Sequence, residues 1–109
     1  MTRVLVVEHD SSTRRLIANL LEERGHEVTR AETLAEAACI FETRQPAILV
    51  IDPVLGDGDG LGLIRRAQDR SVRVVVTSAY PPRVQEAIAL GIPLVTKPFT
   101  AEELLERVG

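Results

Sequence analysis

The chain is poor in several residue types, and each scarcity closes off a class of function. A single cysteine, Cys39, among 109 residues leaves no partner for an internal disulfide and no thiolate set for a zinc site. Tryptophan is absent, and one tyrosine with two phenylalanines gives an aromatic fraction of 3%. That is too little to build the stacking platforms that single-stranded nucleic acid requires. An excess of one charge is also missing. The net charge of −3 offers no electrostatic case for nucleic acid or an anionic membrane as a partner. No apolar run is long enough to cross a bilayer, and the start MTRVLVVEHD lacks a signal-peptide core, so the cytoplasm is the expected compartment. Repeats, linkers and low-complexity segments are missing too, which points to one domain over residues 1–109.

What the chain does have is a set of short, unbroken apolar runs, each closed by polar residues. The organising stretch is 47–61, AILVIDPVLGDGDGL. Its apolar half is rich in β-branched residues and shows no polar alternation, as befits a parallel strand covered on both faces. It ends on Asp52, which Pro53 biases toward an extended backbone. Three glycines follow before the next helix. An acid at the carboxyl end of a central strand, opening into a loop, stands where open α/β sheets place their ligands.

The remaining elements follow the same logic. Residues 3–7 read as a second buried strand closing on Glu8, His9 and Asp10. Ser11 or Ser12 is expected to cap a helix through about Arg24, with Leu16, Ile17 and Leu20 on one face and Gly25 as its stop. Residues 26–30 alternate and carry charge, as an edge strand does. Thr33 caps a second helix with an apolar face of Leu34, Ala37, Ala38 and Phe41, and Cys39 is expected to be an inert packing residue beside it. Asp59 is the expected cap of a third helix that carries Leu61, Ile64 and Ala67. A strand at 73–77 closes on the hydroxyls Thr77 and Ser78. Pro82 fits the first position of a short fourth helix closed by Gly91. A brief strand at 93–96 leads to Lys97-Pro98, and Thr100 with Glu103 forms a capping box for a last helix with Leu104, Leu105 and Val108 inward. Five strands alternating with five helices predict a flavodoxin-like, doubly wound parallel sheet of order 2-1-3-4-5.

In such a sheet the inner strands end on one edge, so Glu8-His9-Asp10, Asp52, Thr77-Ser78 and Lys97 converge. A carboxylate there can accept a phosphoryl group as a mixed anhydride. The transfer needs the charge on the phosphoryl oxygens met by cations and donors, which a lysine and a hydroxyl can supply. The glycine run 56–60 is neither a calcium loop, lacking the closing acid, nor a phosphate-binding P-loop, lacking Gly-Lys-Ser/Thr.

The motifs VLVVEHD with Arg14-Arg15, LVIDPVLGDGDGLGLIRR, VVTSAYP and LVTKPFT, in this order and spacing, resemble the receiver domain of bacterial two-component response regulators. The resemblance covers nearly the whole chain. It implies Asp52 as phospho-acceptor, Ser78 as switch hydroxyl with Ala79 as its small neighbour, Lys97 as the phosphoryl-binding lysine, and a cis Pro98. It also implies Mg2+ held by Glu8, Asp52 and the Val54 backbone carbonyl, with His9 or Asp10 at the remaining acid place. The implied partners are a sensor histidine kinase or histidine phosphotransfer protein, and a downstream protein or output domain. A phosphorylation-linked homodimer is further implied, with no nucleic-acid or membrane contact by this domain and no enzymatic role beyond autophosphatase activity.

Three features depart from the family's pattern. His9 stands at an acid place, and imidazole is a poor ligand for a hard ion such as Mg2+. Leu94 takes the place of the aromatic switch residue. The segment 80–91 is short for the fourth helix and its entry loop, although VTSAY, ending at Tyr80, is similar to a variant found in some stress-response receivers. Two rivals therefore stand beside the switch: a pseudo-receiver that binds protein without phosphorylation, and a small phosphohydrolase. The hydrolase would want a second acid two residues after Asp52, where the chain has Val54.

Overall fold

Apolar runs without alternation become the inner strands, and the amphipathic segments between them become helices. The computed structural model describes residues 2–79 and 81–109. In chain order these hold β1 (Arg3–Val7), α1 (Ser11–Glu23), β2 (Glu27–Ala31), α2 (Leu34–Arg44), β3 (Ile48–Ile51), β4 (Val54–Leu55), β5 (Gly58–Asp59), α3 (Leu61–Asp69), β6 (Arg73–Ser78), α4 (Pro81–Ala89), β7 (Leu94–Thr96) and α5 (Ala101–Val108). The main sheet has the order β2-β1-β3-β6-β7 with every pairing parallel, which is the predicted 2-1-3-4-5 arrangement of a flavodoxin-like α/β fold. The charged β2 lies at an edge, as its alternation requires.

Successive strand residues point to opposite faces, so the sheet feeds two cores. Leu5, Val7, Leu49, Ile51, Val74 and Val76 pack with Phe41 of α2, Leu63 and Ile64 of α3 and Ala87 of α4. Val4, Val6, Ile48, Val50, Val75 and Val95 pack with Ile17 and Leu21 of α1 and Leu104 and Val108 of α5. Leu105 is only partly buried against this second core. Among the described residues no helix is long and apolar enough to cross a membrane.

Several local expectations are corrected. The cap of α1 is Asp10, whose side chain accepts the Thr13 N–H at 2.8 Å, because the chain is still extended there; Ser11 and Ser12 are already helical. The buried stripe of α1 is Ile17, Ala18 and Leu21, which leaves Leu16 half exposed. Cys39 is exposed, since α2 turns Ala37 and Phe41 inward and Cys39 lies on the far side of the helix. Gly60 caps α3, with the Asp59 carboxylate accepting the Leu61 N–H at 2.9 Å, and α3 buries Leu63, Ile64 and Ala67 while Leu61 is partly buried. The helix α4 begins at Pro81, and β7 begins at Leu94.

The glycine loop is an ordered antiparallel ribbon, β4 against β5, with Val54 opposite Asp59 and Leu55 opposite Gly58. At its tip the Asp57 carboxylate accepts the N–H groups of Leu34 at 2.8 Å and Ala35 at 3.1 Å, which fastens the loop after β3 to the start of α2. Those two backbone bonds hold the Asp57 carboxyl below its ordinary range. Gly60 allows the ribbon to close: a Cβ there would stand 2.9 Å from Ile51 Cδ1 and 3.1 Å from Pro53 Cα.

Phe41, 2% exposed, should be the costliest single truncation in the first core. Phe41→Ala is expected to lower stability by about 3–5 kcal/mol, read from urea denaturation. For Asp57 the folded pKa is lowered, so its contribution is complete above the unfolded value near 3.8 and is lost as pH falls through the folded value. The urea midpoint of Asp57→Asn should therefore lie below wild type at neutral pH, and the gap should close on acidification.

Candidate functional site

The register of the sheet assembles the site. Val7, Ile51, Val76 and Leu94 stand in one row across β1, β3, β6 and β7. The chain continues past that row into Glu8, Asp52 and Thr77, and the Asp52 N–H still donates to the Val7 carbonyl at 3.0 Å. Lys97 leaves the end of β7 and its ammonium reaches both acids: Nζ donates to Asp52 Oδ2 at 2.7 Å and to Glu8 Oε1. Glu8 is 2% exposed, so its carboxylate depends on that ammonium and on the Asp10 N–H, which reaches Glu8 Oε2 at 3.0 Å. Asp52 Oδ1 accepts the Val54 N–H at 2.9 Å across the turn made by Pro53. Burial works against the Lys97 charge, but the hydrogen bonds to Asp52 and Glu8 outweigh it and raise the ammonium above the usual lysine range.

An open cleft of about 610 Å³ lies over this pair of ion bridges, lined by Glu8, His9, Asp10, Asp52, Val54, Ser78, Ala79 and Lys97. The strand-end residues selected from the sequence thus share one cleft. Both hydroxyl residues are fully buried, but Ser78 reaches the cleft wall and Thr77 is absent from the lining. The Lys97–Pro98 peptide is cis. Tyr80 lies outside the described residues.

Sequence reasoning noted Arg14 only as part of a motif. In the fold, its Nη1 donates to the Glu8 carbonyl at 2.9 Å and the His9 carbonyl at 3.3 Å, pinning the turn between β1 and α1. The Asp57 clamp was also missed, and its only signal was an acid among glycines.

The Mg2+ that the resemblance implies can be tested against these donors. Glu8 and Asp52 offer hard carboxylate oxygens, but each of those oxygens already takes a hydrogen bond from Lys97 or a backbone amide. The neighbouring place holds His9, which lies exposed near Gly56. Asp10 does not compensate, because its carboxylate caps α1 through Thr13 N and Oγ1, bonds that also lower its pKa. Among the described residues no three acid, histidine or cysteine side chains stand close enough to hold an ion. Mg2+ binds through one or two carboxylates and keeps several waters, so Glu8 and Asp52 suit it, while the acid place held by His9 lacks the oxygen donor a hard ion prefers.

The comparisons agree with this architecture. The chain is 37% identical to the virulence transcriptional regulatory protein PhoP of Salmonella typhimurium, over 99% of this chain and 50% of that protein. It is likewise 37% identical to the KDP operon transcriptional regulatory protein KdpE of Escherichia coli K12, over 99% of this chain and 50% of that one. It therefore spans about half the length of the curated relatives it matches. Among solved structures, the receiver domain of the Francisella response regulator 1452 superposes with a TM-score of 0.85 at 31% identity, over 99% of this chain and 93% of that one. The chemotaxis response regulator CheY4 of Vibrio cholerae shares the fold, with a TM-score of 0.86 at 23% identity, covering 99% of this chain and 96% of that chain. The profile of the family described as "Response regulator receiver domain" matches residues 4–109. The chain belongs to the response regulator receiver domain family.

Proposed function

We propose that residues 1–109 form one receiver domain that accepts a phosphoryl group on Asp52 from a phosphohistidine and works as a phosphorylation-controlled switch. The observation that carries this reading is the Lys97 ammonium joined to Asp52 at the mouth of an open cleft. Receiver domains of response regulators take their phosphoryl group from histidine kinases. Here the phosphorus–nitrogen bond of the donor would break as Asp52 Oδ2 forms a bond to phosphorus. Lys97, kept charged by its raised pKa, would shift from the carboxylate to the new phosphoryl oxygens. Ser78 on the cleft wall would donate to one of them, with Ala79 leaving room beside it. The outcome is a shifted equilibrium of the loop after β6 and of the face around Leu94.

In this reading the domain is regulatory rather than an enzyme, and its partners are a sensor kinase or phosphotransfer protein and a downstream protein or output segment. PhoP and KdpE are transcriptional regulatory proteins, and the net charge of −3 argues that nucleic acid would be contacted by another part of such a protein, not by this domain. A homodimer formed on phosphorylation is a further element of the proposal. Mg2+ is typical of the family; Glu8 and Asp52 would hold it, short of the acid that His9 replaces, and no step is routed through it here.

A second reading, a pseudo-receiver that docks partners without phosphorylation, is favoured by one observation: His9 stands at an acid place in the cleft while Lys97 holds Glu8 and Asp52. One experiment separates them. On incubation with acetyl phosphate and a series of divalent ions, intact mass should show a gain of one phosphoryl group, absent in Asp52→Asn. No gain with any ion would overturn the switch reading, and a gain restored by His9→Asp would locate the fault at the acid place.

The Lys97 bridges also predict a pH dependence. A pKa raised above the ordinary 10.5 contributes stability that is complete below that value and is lost as pH rises through the folded pKa. Wild type should lose stability as pH rises above about 10.5 more steeply than Lys97→Met, by urea midpoints.

A further inference from the structure

We infer that the Thr77 hydroxyl is a standby hydrogen-bond donor to Asp52, idle while Lys97 holds that carboxylate and engaged once Lys97 lets go. Continuing the pairing of Ile51 with Val76 by one step sets Asp52 opposite Thr77. Adjacent strands lie about 4.8 Å apart, within reach of a side-chain rotation. The alternation agrees. Val50 and Val75 belong to the core under α1 and α5, so Asp52 and Thr77, two residues further on, share that face of the sheet. Thr77 is 0% exposed, and its Oγ1 has no hydrogen-bond partner among the described residues. Native proteins rarely leave a buried hydroxyl unpaired, and the isosteric valine, which the chain uses at 74, 75 and 76, would fill the same space without that cost.

Both Asp52 oxygens are engaged at rest, by Val54 N–H and by Lys97. When the ammonium leaves, Asp52 loses a donor in a half-buried place, and Thr77 is the hydroxyl opposite it on the neighbouring strand. Ser78, the next residue, reaches the wall of the cleft beside Ala79. The two adjacent hydroxyls thus have separate tasks, Ser78 facing the cleft and Thr77 supporting the carboxyl from below. Thr77 acts through Asp52 and is a positioning residue.

The test is a mutant cycle read by urea midpoints. In wild type, Thr77→Val should raise the midpoint, because it removes an idle buried hydroxyl. In Lys97→Met, where Asp52 is free, the same substitution should lower it, and Thr77→Ser should keep the coupling. Lys97→Ala provides the same comparison if Lys97→Met does not fold. A Thr77→Val shift of the same sign and size in both backgrounds would overturn the inference, since a merely structural hydroxyl does not sense Lys97. A second arm rests on Asp52 being the acceptor: in the phosphorylated protein Thr77→Val should again lower the midpoint, and an unchanged rise there would count against the inference. If no phosphoryl group is taken up, the switch reading fails while the Lys97 cycle still decides the role of Thr77.

Discussion

Two carboxylates at the ends of neighbouring central strands repel each other, and a parallel sheet has no way to keep those ends apart. Glu8 follows β1, Asp52 follows β3, and one ammonium, that of Lys97, bridges them. Glu8 is nearly without solvent, so removing its counter-charge would strand a buried anion. Much of the surrounding design can be read from this constraint. Lys97 starts beyond β7, and β6 lies between it and the acids. Its stem has to pass over the end of β6, and that end is made of small residues, Thr77, Ser78 and Ala79. A bulky side chain there would lift the lysine off its partners.

The apolar sheet serves this arrangement by fixing register. Each inner strand buries both faces, so a slip of one residue would exchange the two cores and carry the acids to the wrong side. The loop after Asp52 is held as firmly. The ribbon of β4 and β5 returns the chain to Gly60, whose N–H donates to the Pro53 carbonyl at 2.8 Å, and Asp57 ties the ribbon tip to α2. Of the three glycines in this loop, the fold uses Gly60 for close approach, against Ile51 and Pro53.

The strands and their order were legible because fully buried parallel strands leave an unmistakable run of apolar residues, and polar residues mark where each run leaves the core. The cleft was legible for the same reason. What escaped was set by distances of one residue or by contacts distant in sequence. Asp10 rather than Ser11 caps α1 because the turn to helix comes one residue early, and Leu16 lost its place to Ala18 because neighbouring residues on a helix differ by about 100°. The Asp57 clamp joins residues 23 positions apart and has no local pattern. Thr77 and Ser78 could not be told apart by composition; only the pairing of β6 with β3 and β7 assigns each a face.

That same accounting bears on His9. Glu8 and Asp52 share one ammonium, which leaves a single negative charge uncompensated on that pair. An aspartate at position 9 would leave two, and a second cation would then be needed to hold three acids together. With histidine there, and with the Asp10 carboxylate committed to the α1 cap, the demand for that cation falls. The resting cleft is closer to electrical balance with lysine alone. The substitution therefore changes more than one ligand: it lowers the negative charge that any cation besides Lys97 would have to offset.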